Sequence, residues 1–432
     1  MKRIVSIFIA LVMVFSSFAV VASAVENEVT VTLNGHRMVF DVPARIIGSR
    51  TMVPIRQLLE ALGATIEWNG DLREVTTVRG EDTLKFRIGQ TELYKNGELI
   101  YNFDTVPVII EENGESRTLI PLRAISEAFG YTVDWDGATA TAMVYDYSNV
   151  YFDTVENTPL MIGEFPVDND VYEYFVMNVQ AMLGNSIEGY DEASRNLIIA
   201  SAVYEAMVTY YASFSVASSM GLSIYNADVN EAVNATLSTY KTYYGESFYD
   251  ILKSSYLTEE VFKSLLYIQY FDEKMLEVLA KDAEKLSVDE KVNELMSGKQ
   301  MIRAYHILVP ELETAQGILE SAKDATDEEF YNLIQEHGRD TGMVNNKDGY
   351  YFSAGQMVVE FENAAFALEI GQTSDIVETE YGYHIIRRLP MEKAYVEANV
   401  EQLYQIKLTT DLSDLITAKV MLIGGYAEEP VA

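Results

Sequence analysis

The chain has 432 residues, 49% of them hydrophobic, and carries 66 Asp and Glu against 31 Lys and Arg, a formal charge of −35. That length exceeds one compact core and predicts several domains. The apolar content excludes wholesale disorder, and the acidity excludes nucleic acid as a partner, because phosphate contacts need clustered cations.

At the N-terminus, Lys2 and Arg3 precede a nearly all-apolar run from Ile4 to Val21. Ala22-Ser-Ala24 then offers small residues ahead of Glu26-Asn27-Glu28. This is the pattern of a signal peptide over residues 1–24. It predicts cleavage after Ala24 and an exported protein, extracellular or associated with the cell envelope. An uncleaved anchor is the alternative, at the short end of spanning length. The chain has no cysteine, so an exported fold must rely on its cores rather than disulfides, and no lipoprotein anchor is expected. No later segment is expected to span a bilayer.

Residues 25–150 contain a repeat. Arg50-Thr-Met-Val-Pro54-Ile-Arg56-Gln-Leu-Leu-Glu60-Ala-Leu-Gly63-Ala-Thr-Ile-Glu-Trp68-Asn-Gly70 recurs as Arg117-Thr-Leu-Ile-Pro121-Leu-Arg123-Ala-Ile-Ser-Glu127-Ala-Phe-Gly130-Tyr-Thr-Val-Asp-Trp135-Asp-Gly137. Such self-similarity marks duplicated units. Each copy predicts an extended entry, a short helix opened near the proline and stopped by Gly63 or Gly130, then a strand, Thr65–Trp68 or Thr132–Trp135, running into a glycine turn. Val29–Leu33, Leu84–Ile88 and Ala140–Tyr145 read as flanking strands, and Trp68 and Trp135 as core anchors. The pattern resembles the N-terminal domain of copper amine oxidases, and that resemblance implies a stalk or a module in contact with the cell wall. One histidine, His36, and no cysteine make a poor copper ligand set, so no metal and no cofactor is expected.

Residues 160–300 show helical periodicity and few glycines or prolines. Val171–Leu183, Asp191–Ala212, Asn226–Tyr243 and Thr258–Leu286 are the predicted helices, punctuated by Gly184, Gly221 and Gly245. Their many Tyr, Met and Phe residues read chiefly as bundle core, with a minority available to an adaptable surface for unfolded chains.

Residues 301–391 predict an α+β unit. A strand at Ile302–Val309 leads to helices at Leu312–Lys323 and Asp327–His337. A loop and a short strand follow, then a helix at Phe361–Leu368 and strands at Ser374–Glu378 and Tyr383–Leu389. His337 fits a helix C-terminus, where positive charge is favourable. Residues 392–432 predict a C-terminal helix from Lys393 to Leu422, with Tyr395, Val396, Val400, Leu403, Tyr404 and Ile406 on one face, and a tail.

Three short segments of this unit, Arg303-Ala-Tyr-His306-Ile-Leu-Val309, Gly355-Gln-Met357-Val-Val-Glu-Phe361 and Tyr381-Gly-Tyr-His384-Ile-Ile386, resemble in order and spacing the parvulin (PpiC) family of peptidyl-prolyl isomerases. The helical region before it and the helix after it resemble the layout of PrsA- and SurA-type foldases, which implies an all-α chaperone-like domain. The fold class expected is therefore α+β multidomain, with a duplicated small α/β N-terminal region. By resemblance His306, Asp340 and His384 are the active-site residues, Met357 and Phe361 hold the proline ring, and Thr379 supplies a hydroxyl near the histidines. One departure stands out. Where parvulins commonly carry Gly-Gly-Asp-Leu-Gly, this chain has Asn346-Lys-Asp-Gly349-Tyr350-Tyr351, and Tyr350 is placed to fill or lid the site. PrsA-type foldases usually carry a lipid anchor, another departure. The function expected is a peptidyl-prolyl cis-trans isomerase and foldase acting on unfolded exported proteins with X-Pro bonds. The alternatives are a holdase without catalysis, or an envelope-binding protein acting through residues 25–150. The oligomeric state is left open.

Overall fold

The duplicated sequence folds as two copies locked through their own strands. In chain order these are Thr30–Leu33 (β1), His36–Arg37 (β2), Arg45–Ile47 (β3), Arg50–Pro54 (β4), helix Ile55–Ala61 (α1), Thr65–Asn69 (β5), Glu74–Arg79 (β6), Asp82–Arg87 (β7), Glu92–Lys95 (β8) and Glu98–Asn102 (β9). Val108–Glu112 (β10), Glu115–Pro121 (β11), helix Leu122–Ala128 (α2), Thr132–Asp136 (β12) and Thr141–Tyr145 (β13) follow. The computed structural model describes residues 29–112, 115–151, 158–297 and 300–424; the expected signal peptide lies outside them.

Pro54 and Pro121 end their strands and open α1 and α2, because proline cannot donate to a ladder yet fits a helix start. Gly63 and Gly130, at φ of 72° and 89°, stop those helices in the backbone region that glycine enters without a Cβ clash. Strand β4 pairs antiparallel with β11 so that Val53 faces Ile120, Met52 faces Pro121 and Pro54 faces Leu119. Val53 and Ile120 occupy the same position in the two copies. The copies therefore meet about a local two-fold axis between two residues that are both fully buried. The same symmetry appears at the rim, where Arg50 reaches Asp104 and Arg117 reaches Asp41.

Away from the axis the copies diverge. The first extends into an antiparallel sheet ordered β5-β6-β7-β8-β9. The second is completed by the start of the chain, in a sheet ordered β12-β13-β1-β2 with β1 parallel to β13. One hydrophobic core, with Leu58, Leu59, Leu84, Leu93, Ile125 and Val144 at its centre, joins them. Trp68 and Trp135 correct the sequence expectation, being 49% and 44% exposed rather than core anchors. Each lies opposite a buried residue, Val75 or Ala142, and so faces the core. But β5 and β12 are the outermost strands of their sheets, leaving each indole to cover only the rim.

A small hairpin, Met161–Ile162 (β14) with Phe165–Pro166 (β15), precedes helices Asn169–Leu183 (α3), Glu192–Ser219 (α4), Ala227–Tyr244 (α5), Phe248–Ser254 (α6) and Glu259–Ala283 (α7). Asp168 and Asp191 cap α3 and α4 by accepting from the amides of Asp170 and Ser194. Helix α4 departs from the sequence reading in two ways. It continues past Ala212, and its best 18-residue window reaches a mean hydropathy of 1.3, apolar and long enough to cross a membrane. Its apolar residues have another use here: from Val203 to Ala217 they are largely buried, with Phe175, Phe165 and Phe271 against Tyr210, Tyr211 and Phe214. A helix that is apolar all round is what a buried position requires.

The described residues divide into two compact units, the boundaries falling between Asp272 and Glu273 and between Thr417 and Ala418. The unit Glu273–Thr417 contains the end of α7, then Val288–Met296 (α8), Met301–Val309 (β16), Leu312–Asp324 (α9), Asp327–His337 (α10), Thr341–Val344 (α11), Tyr350–Ser353 (β17), Val359–Ala367 (α12), Val377–Thr379 (β18), Gly382–Leu389 (β19), Lys393–Ala398 (α13) and most of Val400–Ile423 (α14). Its sheet, ordered β17-β16-β19-β18, is antiparallel throughout. Alternation along β16 sorts the side chains. Tyr305, Ile307 and Val309 pack under α9 and α10, while Ile302 and Ala304 pack under α12 with Phe352 and Ile386. Helix α8 is an element the sequence reading did not predict, its last helix in this region ending at Leu286; a reciprocal capping box between Ser287 and Glu290 opens it. Its Val292 and Leu295 share a cluster with Val396, Val400, Leu403, Tyr404 and Leu408 of the C-terminal helices.

Both tryptophans of the chain lie in the duplicated region, so their fluorescence reports on it alone. Ile120→Ala, at the local axis, is expected to cost about 2–5 kcal/mol, read as a lower urea midpoint of the tryptophan signal. An unchanged midpoint would show that the axis contact does not hold the copies together.

Candidate active site

Register places the site. His306 lies opposite Ile386, and His384 opposite Leu308. The two histidines are thus diagonal neighbours on one face of β16 and β19, the face covered by α12. Both are buried. Their rings stack at 5.2 Å and 20°, with Nδ1 facing Nδ1 at 3.0 Å. Phe361 of α12 sets its ring edge-on to both, at 5.2 Å from His306 and 5.3 Å from His384.

Asp340 caps α11, accepting the Gly342 amide on Oδ1 at 2.9 Å. Its Oδ2 lies 2.9 Å from His306 Nε2 and accepts the Tyr350 hydroxyl, also at 2.9 Å. The His306 bond, with help from Tyr350 and the Gly342 amide, holds the Asp340 carboxyl well below the usual carboxylate range. At the other end Thr379 Oγ1 lies 2.8 Å from His384 Nε2. Burial, and the neighbouring His306 secondarily, lower the His384 pKa to about 4.

These partners fix the proton order. An ionised Asp340 can only accept, so His306 donates from Nε2. One proton then lies between the two facing Nδ1 atoms, and the Thr379 hydroxyl meets His384 Nε2. A continuous hydrogen-bonded chain runs from Thr379 to the carboxylate.

Met357 is half-buried against the cluster that contains Phe361. Its segment is held by Glu362, which accepts the amides of Gly355 at 2.7 Å and Met357 at 3.4 Å. The loop that departs from the parvulin pattern is pinned from β16. Arg303 donates to the Asp348 carbonyl at 2.6 Å and Tyr305 donates to that of Lys347. Gly349 is required there, since at φ 73° a Cβ would lie 2.9 Å from the Ala304 carbonyl oxygen. The structure thus brings together all six residues singled out from sequence: His306, Asp340, Met357, Phe361, Thr379 and His384. It adds Glu362, whose signal was an acid at the first turn of α12, where negative charge is stabilised. It also adds the bond from Tyr350 to Asp340, which needed the register of β17 on β16.

Residues 311–389 match the family model of the PPIC-type PPIase domain, and residues 32–145 that of the copper amine oxidase N-terminal domain. The first match includes Asp340, Met357, Phe361, Thr379 and His384, while His306 lies just before it. Among named proteins, the foldase protein PrsA of Oceanobacillus iheyensis is 38% identical over 144 residues, 33% of this chain and 46% of that protein. PrsA of Bacillus subtilis is 35% identical over 147 residues, 34% of this chain and 49% of that one. The chain thus spans about half the length of these relatives. A crystal structure of the peptidylprolyl isomerase PrsA from Bacillus anthracis is 24% identical, covering 53% of this chain and 99% of that one, with a TM-score of 0.27.

The lowered His384 pKa has a sign that can be checked. Folded His384 binds its proton near pH 4, whereas an unfolded histidine does so near 6.5. The unfolded chain therefore holds more protons between these values. His384 favours folding fully above about pH 6.5, and this is lost as pH falls towards 4. The His384 ring proton signal is expected to titrate near pH 4, and His384→Gln to flatten the fall in urea midpoint across that window. A ring titrating near 6.5 would contradict the buried neutral pair.

Proposed function

We propose that this protein is an exported foldase that catalyses cis/trans isomerisation of X-Pro bonds in unfolded or partly folded exported proteins. The observation that carries the reading is the hydrogen-bonded chain Thr379–His384–His306–Asp340 beside the apolar pair Met357 and Phe361. The leader-like start at Lys2 to Ala24 supports export, and the PrsA relatives support the foldase role.

The chemistry asks for a shaped site rather than a reactive group. Rotation about the peptide bond is opposed by ~18–20 kcal/mol of double-bond character, and unaided X-Pro exchange takes tens of seconds or more. No bond to carbon breaks, so the catalyst need only bind the twisted amide better than either planar form. Met357 and Phe361 grip the proline ring and exclude the water that favours the planar, dipolar amide. The hydrogen-bonded histidine pair keeps the floor of the site rigid, and Asp340 sets the field beside the carbonyl that precedes proline. Neither histidine acts as a general base, since there is no net proton transfer.

A holdase function is the second reading, favoured by Tyr243, Tyr249 and Tyr256, which are exposed on and after α5 and α6. Contact with the cell wall through residues 25–150 is compatible with either.

Exchange NMR on X-Pro peptides decides between them. Wild-type protein is expected to accelerate exchange. Met357→Ala removes about 1.5–3 kcal/mol of apolar contact, which is about 10–150-fold in rate. His306→Ala and Asp340→Ala are expected to lower the rate at least as far. No acceleration by a folded wild type on any peptide would sink the isomerase reading and leave the holdase.

A further inference from the structure

Tyr350 is the residue of the site that the catalytic reading does not use, yet its placement is tightly specified. It lies opposite Ala304 in the pairing of β17 on β16, and Ala304 is two residues from His306. Its side chain therefore leaves the sheet on the face of the two imidazoles. The ring sits 5.8 Å from that of His306, and the hydroxyl donates to the same Asp340 oxygen that takes His306.

Gly342 is fitted to this hydroxyl. A Cβ there would lie 2.3 Å from the Tyr350 oxygen. Gly342 does not have a positive φ, so its backbone does not demand glycine and the space does. Gly349 performs the matching service for the backbone, turning the chain tightly over Ala304 into Tyr350.

The hydrogen bonds also define what this side of the site can accept. Tyr350 spends its one proton on Asp340. Asp340 already takes three donors and is ionised. This wall therefore offers a half-exposed aromatic ring and a fixed negative charge, with no donor from Tyr350 for a carboxylate. Met357 and Phe361 lie beside the histidines under α12, and Tyr350 lies towards Asp340.

We propose that Tyr350 forms the wall of the subsite for the residue preceding proline, selecting aromatic and aliphatic side chains there and rejecting Asp and Glu. The proposal rests on the isomerase reading for the place of the proline ring. Tyr350 is a specificity residue through its ring and a positioning residue through its bond to Asp340.

The test uses the full chain with Ala-X-Pro peptides in which X is Phe, Leu, Ala or Glu, measuring binding by chemical-shift titration and exchange by line analysis. Wild type is expected to favour Phe over Glu tenfold or more in both. Tyr350→Phe keeps that ranking with a loss of a few-fold in rate. Tyr350→Ala brings Phe and Ala within about twofold, and lowers the rate for the Ala peptide about as far as Tyr350→Phe does. Gly342→Ala, whose methyl meets the hydroxyl, is expected to slow all four peptides, and adding Tyr350→Phe to restore them in part, a coupling that independent sites would not show. An unchanged ranking in folded Tyr350→Ala overturns the proposal. So does a wild type that binds the Glu peptide as well as the Phe peptide. Should Tyr350→Ala not fold, failure of Tyr350→Phe to relieve Gly342→Ala overturns it. Ranked binding without any faster exchange keeps the subsite and sinks the isomerase reading alone.

Discussion

Three donors converge on the Asp340 carboxylate, and the order of the site follows from that saturation. A carboxylate held ionised must receive the His306 Nε2 proton, which sets that ring against His384 and His384 against the Thr379 hydroxyl. The protein obtains a polar floor in which each ring nitrogen has a hydrogen-bond partner. Burial of His384 works against the Asp340 carboxylate, whose charge favours a protonated ring, and burial is the stronger of the two. Such rigidity suits the proposed isomerisation, because loose hydrogen bonds would adapt equally to twisted and planar amides.

The same sheet supplies the apolar side. Residues two apart on β16 share a face, so the strand that positions His306 also seats Ala304 and Ile302 under α12. Phe361 then meets both the imidazoles and the hydrophobic cluster. Its α12 neighbour Glu362 ties down the Gly355 and Met357 amides, so one helix turn fixes both the ring and the loop of the pocket.

Much of this was legible in the residues, and the reasons are local. His306, Phe361 and His384 sit in short segments whose neighbours fix strand or helix, and strand alternation then fixes the face. Pro54, Gly63 and their repeats marked α1 and α2 because they restrict backbone rather than packing. What escaped needed knowledge of neighbours. Trp68 and Trp135 looked like core because they are large and apolar, but their burial depends on whether another strand lies beyond β5 or β12. The apolar second half of α4 read as an ordinary bundle face, and only the rings around Tyr210, Tyr211 and Phe214 show why it is apolar on all sides. Helix α8, opened by the capping box of Ser287 and Glu290, is one short helix beyond the predicted end at Leu286, and its apolar face has meaning only against the C-terminal helices. The hydroxyl of Tyr350 finds Asp340 only through the pairing of β17 with β16, which is absent from the sequence around either residue.

The pairing of β1 with β13 has a consequence for the time at which the N-terminal region can become itself. Thr30 must meet Thr141 and Leu33 must meet Val144, so the first strand of the region pairs with the last. Such distant partners raise contact order and slow folding. Until they meet, the first copy is present with its half of the local axis, Val53, unmatched and its apolar residues uncovered. The two copies and the strand that begins the region therefore close late, as parts of one core.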